Sequence, residues 1–150
     1  MIKPSKKKIY VLMISKTFMR DHPKCGKPTN FKEKILSGQK IHTIRLGIGW
    51  KKITGEVNAG IAVLSVREWS GEPYKSKQVE IVQFEKAGWQ SLEITEPRLP
   101  KLFIDGCDYG ISHIDTIAHN DGLDKYDFYD WFDFPSPFIG GIIHFTDFRY

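Results

Sequence analysis

Residues 29–45, TNFKEKILSGQKIHTIR, change hydrophobic period in the middle, and a glycine stands at the change. Before Gly38, the apolar residues Phe31, Ile35 and Leu36 recur at helical spacing, and beyond it the pattern alternates as in a strand. Thr29 or Asn30 supplies the N-cap oxygen, and Gly38 provides the left-handed residue that stops the helix. From Gln39 onward Ile41, Thr43 and Arg45 fall on one strand face, His42 and Ile44 on the other. Lys40 lies three residues before Thr43 and would point away from it in a regular strand. To reach Thr43 it must occupy the tight connection, where its amine is free to swing to either side.

The remaining chain is read around that unit. Residues 7–15, KKIYVLMIS, form a nearly continuous apolar run and predict a buried first strand. Residues 16–28 carry basic residues, two prolines and a glycine, which predicts an exposed loop. The glycine-rich stretch 46–60 reads as irregular. Its Trp50, beside Lys51 and Lys52, fits either a base-stacking platform or a core plug. Residues 61–69, IAVLSVREW, give the strongest strand signal, ended by Gly71-Glu72-Pro73. Residues 77–84 alternate and pair with them as a hairpin. Residues 89–95 fit a strand or a helix and stop at Glu96-Pro97. A short run at 101–104 meets the turn Asp105-Gly106. Residues 124–133, DKYDFYDWFD, read as an amphipathic helix headed by acids that suit its N-terminal dipole. Asp121, Asp124, Asp127, Asp130 and Asp133 recur every third residue, a step that drifts around a helix and makes no single metal-binding face. A solvated helical surface accounts for all of them except Asp121, which precedes the helix beside Gly122. Phe134-Pro135-Ser136-Pro137 breaks the chain before a closing strand at 140–148. Strands outnumber the two helices, without βαβ alternation or internal repeat. The expected class is α+β: one domain over 1–150, a small, mostly antiparallel barrel or curled sheet with helices at its mouth.

Charge is segregated along the chain. Residues 1–52 hold fourteen Lys or Arg against Asp21 and Glu33, whereas the remainder holds eight against sixteen acids. Such asymmetry fits contact with nucleic acid or another polyanion, and it equally fits two halves that neutralise each other across the fold. The apolar run after the N-terminal lysines is too short for a signal h-region or a membrane span. With only Cys25 and Cys107, a disulfide framework is not expected and a cytoplasmic location is. His22 and Cys25 in DHPKC have the spacing of two metal ligands. No second pair lies near, so no metal is expected.

Gly38, Lys40 and Arg45, following FKEKILSG, resemble the GxKxxxxR signature of the ASCH domain family, part of the PUA-like superfamily of small β-barrels associated with RNA. The resemblance covers residues 31–45 closely and the later strands in outline. It implies a PUA-like β-barrel and a partner that is RNA or a nucleoside, without cofactor or membrane. A subgroup of that family hydrolyses N4-acylated cytidine nucleosides with a lysine, a threonine and a carboxylate, the first two within GxKxxTxR. Here the matching residues are Lys40 and Thr43, with Arg45 closing the motif. The family's carboxylate is a downstream Glu. Asp121 in AHNDGLDKYDF is its counterpart, one methylene shorter. Other members bind RNA or cut it.

Two chemistries follow from this resemblance. In the first, Lys40 deprotonates Thr43 or a water, Thr43 attacks or orients at the acyl carbon, Asp121 handles protons, and Arg45 anchors the substrate or an oxyanion. In the second, no bond is broken: Lys40, Arg45 and the basic cluster from Lys16 onward hold phosphates while Trp50 or Phe18 stacks on a base. A third reading is structural, with Gly38 ending a helix and Thr43 and Arg45 pairing with neighbouring strands.

Overall fold

A parallel strand pair frames the Gly38 unit. In the computed structural model, which describes residues 6–95, 101–132 and 137–150, strand β1 (Lys8–Met13) pairs in parallel with β3 (Ala62–Trp69). Parallel neighbours need a long crossover. That crossover is the chain of helix α1 (Phe31–Ser37), strand β2 (His42–Leu46) and helix α2 (Gly49–Asn58). The expected breaks at 96–97 and 134–136 lie outside the described residues, as do residues 1–5.

The element order continues with β4 (Gln78–Phe84), β5 (Gly88–Thr95), β6 (Lys101–Ile104), β7 (Cys107–Gly110), α3 (Ile114–Asn120), α4 (Lys125–Trp131) and β8 (Phe138–His144). Two sheets result, ordered β1-β3-β4 and β2-β8-β5-β6-β7, and every pairing except β1 with β3 is antiparallel. The class is therefore α+β and mostly antiparallel. Among the described residues the pairings leave the two sheets separate and close no barrel. The interior between sheets and helices is filled by Leu12, Leu64, Leu92, Leu102, Ile117, Phe128 and Ile142, each almost wholly buried. Glycines let two strands approach in β8: a Cβ at Gly141 would fall inside the Trp89 ring, and one at Gly140 would collide with the Arg45 carbonyl.

Several expectations are corrected. The first strand is not wholly buried: among the described residues it lies at the edge of its sheet, paired only with β3, and Ile9 and Val11 stay exposed while Leu12 is covered. The stretch 46–60 is not irregular but largely α2. Gly47 and Gly60 flank the helix at positive φ, Gly55 is accommodated within it, and Thr54 and Val57 form the buried stripe. Leu36 is solvent-exposed, leaving Phe31 and Ile35 as the apolar contacts of α1. Strand β7 and helix α3 were not anticipated: CDYG carries little apolar signal, whereas Ile114, Ile117 and Ala118, the buried stripe of α3, stand at helical spacing that sequence reasoning missed. Residues 89–95, which fitted two states, are strand β5. Asp127 is not part of a solvated surface: it is buried in α4 and meets the Lys24 amine at 2.7 Å. Among the described residues, no helix is long and apolar enough to cross a membrane.

Candidate functional site

The connection between α1 and β2 is held at both ends. Gly38, at φ 84°, ends the helix and donates to Ile35 O, and the Lys40 N–H then donates to Lys34 O at 3.0 Å. Ile41 N donates to Asn120 O at 2.9 Å, which docks the connection on the C-terminal end of α3. Lys40 thus sits between helix and strand rather than in β2. The α1 N-cap position is Asn30 in a left-handed conformation with no side-chain cap bond. The neighbouring Thr29 hydroxyl lies 3.4 Å from Phe31 N and donates to Ser15 O at 2.7 Å, tying the helix entry to the end of the first strand.

Docking on α3 brings Lys40 to Asp121 from 81 residues away. The amine donates to the Asp121 carbonyl at 2.6 Å and to Oδ1 at 3.1 Å, and it lies 4.4 Å from the centre of the Phe31 ring. Both side chains of the pair are almost completely buried. Asp121 follows the last turn of α3, and Gly122, at φ 86°, then bends the chain toward α4. A Cβ at Gly122 would lie 3.1 Å from both Lys40 Cδ and Phe31 Cδ1, so only glycine leaves the lysine stem this path.

Burial dominates the electrostatics. It pushes Lys40 down to about 8, helped by the Arg45 and Lys34 charges and opposed by Asp121. Roughly a tenth of the amine is then neutral at pH 7, compared with far less for an ordinary lysine. Burial alone would raise the Asp121 carboxyl, but the Lys40 ammonium and the His42 N–H hold it below the usual carboxylate range. His42 is pushed down by burial against the support of Asp121.

On the other face of β2, Arg45 donates to the Thr43 hydroxyl at 2.7 Å, to Ile44 O at 2.9 Å and to Met13 O at 2.6 Å. The guanidinium therefore bridges β2 to the end of β1. No hydrogen bond joins the Lys40 amine to Thr43 among the described residues. Instead Lys40, Thr43, Arg45 and Asp121 line one small cavity of about 20 Å³ with Ile14, Ser15, Phe31, Ile44, Trp131 and Phe132. That is room for about one water. An open groove of about 560 Å³ lies beside it, sharing Ser15, Ile44, Arg45, Trp131 and Phe132 and extending to Met19, Leu46 and Phe138.

The other sequence-derived candidates lie elsewhere. Lys16 is exposed and donates to Ser70 O at 3.3 Å, in a separate groove with Arg20, Trp69 and Tyr74. Trp50 begins α2, partly buried against the core, so it occupies the core-plug position and does not line the cavity. Phe18 is buried against His22 and Trp131 rather than presented for stacking. His22 is also buried, its Nδ1 accepting from Lys24 N and its Nε2 lying 3.2 Å from Asp127 O, whereas Cys25 is exposed. Among the described residues, no three His, Cys, Asp or Glu side chains are grouped to hold a metal ion.

Sequence reasoning missed His42, Asn120 and Tyr150. His42 Nδ1 lies 3.3 Å from Asp121 Oδ1, its Nε2 lies 2.6 Å from the Tyr150 phenol, and Asn120 donates to that phenol at 3.1 Å. The available signal was nearness: His42 lies two residues after Lys40 and starts β2, whereas Asn120 and Tyr150 are remote in sequence. Compared with protein-family models, with curated proteins and with solved structures, the chain matches none.

Proposed function

We propose that this chain is an ASCH-like, PUA-like domain that hydrolyses the amide of an N4-acylated cytidine or a close analogue, with Lys40 as the base. The observation that carries the reading is the meeting of Lys40, Thr43, Arg45 and Asp121 around one cavity, in the order the GxKxxTxR resemblance implies. Its family's closed barrel, and a cytoplasmic setting suited to two exposed free thiols, belong to the same proposal.

The chemistry uses the neutral fraction of Lys40. Its amine takes a proton from a water in the cavity, and the hydroxide adds to the acyl carbon from a position fixed by the Thr43 hydroxyl. Arg45, already bonded to Thr43, faces the developing oxyanion. The resulting Lys40 ammonium returns its proton to the departing exocyclic amine, while Asp121 stabilises the ammonium between the two transfers. The products are a carboxylic acid and the free cytosine amine, so atoms balance with water as the only co-reactant. A cavity with room for one water and no direct Lys40–Thr43 bond supports water, rather than Thr43, as the attacking group.

The test is hydrolysis of N4-acetylcytidine by the full chain and by Lys40→Ala. Loss of at least about 100-fold in kcat/KM is the expected result for a general base, and unchanged turnover would refute the assignment. A binding-module reading is favoured by one observation, the groove where Lys16 and Arg20 accompany Trp69 and Tyr74. In that case short RNA binds with an affinity that falls steeply with salt, and N4-acetylcytidine is left intact.

A further inference from the structure

We propose that His42 and Tyr150 are positioning residues for the Lys40–Asp121 pair: hydrogen bonds running Asn120, Tyr150, His42, Asp121 fix the carboxylate and set how much of its charge faces the amine. The inference rests on the reading of Lys40 as the reactive base and adds two residues that touch neither the cavity nor the substrate.

The direction of each bond follows from its donors. Asn120 Nδ2 can only donate, so the Tyr150 oxygen accepts there and gives its own proton to His42 Nε2, 2.6 Å away. With Nε2 an acceptor, the neutral imidazole carries its proton on Nδ1, which points at Asp121 Oδ1. Burial holds the Tyr150 phenol above its ordinary range and His42 below its own, so at neutral pH the phenol stays protonated and the ring neutral. One arrangement of protons satisfies the whole chain.

The same carboxylate oxygen accepts from both sides: Lys40 Nζ at 3.1 Å and His42 Nδ1 at 3.3 Å. A donor placed there shares the negative charge that would otherwise hold the Lys40 proton, and it prevents the carboxylate from rotating fully toward the amine. The groups facing Lys40 are Asp121, Arg45 and Lys34, and His42, which feels the Lys40 charge in turn. Those facing His42 are Asp121, Lys40, the Tyr150 phenol and the edge-on His144 ring at 5.6 Å. Arg149 acts on His144 from outside this set. None of the others can replace the imidazole N–H at Oδ1.

The experiment follows the Lys40 side-chain amine by nitrogen-15 NMR against pH, on the full chain without substrate. His42→Leu removes the donor and should raise the Lys40 midpoint by about 1 pH unit, the size expected for one lost hydrogen bond to a buried carboxylate. His42→Asn rebuilds an N–H near the Nδ1 position and should return the midpoint most of the way. Tyr150→Phe removes a single oxygen, and the His42 ring nitrogens should then lose their single Nδ1–H form while the Lys40 midpoint rises by a smaller amount. With N4-acetylcytidine at pH 7, His42→Leu should lower kcat about 10-fold with KM changed less than about 2-fold, and raising the pH should recover most of the loss.

A Lys40 midpoint unmoved in both His42→Leu and Tyr150→Phe, each retaining the native backbone spectrum, overturns the proposal. If His42→Leu does not fold, Tyr150→Phe alone decides through the ring tautomer and the midpoint. A midpoint that moves in a protein that does not hydrolyse N4-acetylcytidine keeps the hydrogen-bond chain and removes the proposed reaction, so the two failures are distinguishable.

Discussion

Replacing Lys40 with methionine should change how stability depends on alkali. The lysine titrates near 8 in the folded chain, against 10.5 for an ordinary lysine. Between those two values the unfolded chain holds a proton that the folded chain has released, so unfolding becomes less favourable as pH rises. At about 1.4 kcal/mol for each pH unit, the gap is worth about 3 kcal/mol. The charged amine is thus a burden on the fold at pH 7 that alkali relieves, despite its carboxylate partner. Methionine has a similar stem and no charge, so the variant should lack this slope. In that variant burial pushes the Asp121 carboxyl up without the Lys40 ammonium to oppose it, and any titration of it in this window makes the variant curve fall with pH, which widens the difference and does not cancel it. The assay is urea unfolding of both proteins at half-unit steps from pH 7 to 10.5, with other groups cancelling in the difference. A wild-type curve that rises by at least about 3 kcal/mol relative to Lys40→Met supports the argument. Parallel curves would mean that Lys40 titrates as in water and that its burial is misjudged.

Two further outcomes follow from the same structure. His144 is fully buried, its Nε2–H bonded to Gln90 Oε1 and its Nδ1 without a partner, and burial takes its titration from 6.5 down to about 3. The unfolded chain therefore takes up the proton first as pH falls, and wild type should lose about 3 kcal/mol between pH 6.5 and 4 through this group. His144→Gln, which can keep the bond to Gln90, should not show that loss in acid unfolding curves. Gly122→Ala combines a left-handed backbone with a crowded Cβ against Lys40 and Phe31. It should lower stability by about 1–3 kcal/mol in thermal or chemical unfolding, and shift the Lys40 side-chain NMR resonance.

Residues 29–45 were legible because their signals are local: an apolar repeat, a glycine stop and an alternating strand need no distant partner. The β3–β4 hairpin was equally plain, with two strand runs joined by a polar turn. What sequence alone could not supply came from distance or from weak periodicity. The parallel pairing of β1 with β3 depends on a crossover of some fifty residues, and nothing in KIYVLM names its partner. The α2 helix was hidden by its glycines: Gly47, Gly49 and Gly60 stand at its ends, but Gly55 lies within it. At the site, the short spacing from Lys40 to Thr43 and Arg45 was visible. The docking of the α1–β2 connection on α3, which brings Lys40 and His42 to Asp121, needed the structure. His42 looked like the far side of a strand until Asp121 and Tyr150, remote in sequence, were packed against it.

The most direct test of the central claim is a kinetic cycle on N4-acetylcytidine hydrolysis with Lys40→Ala, Thr43→Ala and the double variant. Residues that work on one reacting centre are not additive. The account predicts that the double variant retains about the kcat/KM of the more damaged single variant. A double variant whose loss equals the product of the two single losses, or a wild-type chain with no hydrolysis to lose, would contradict it.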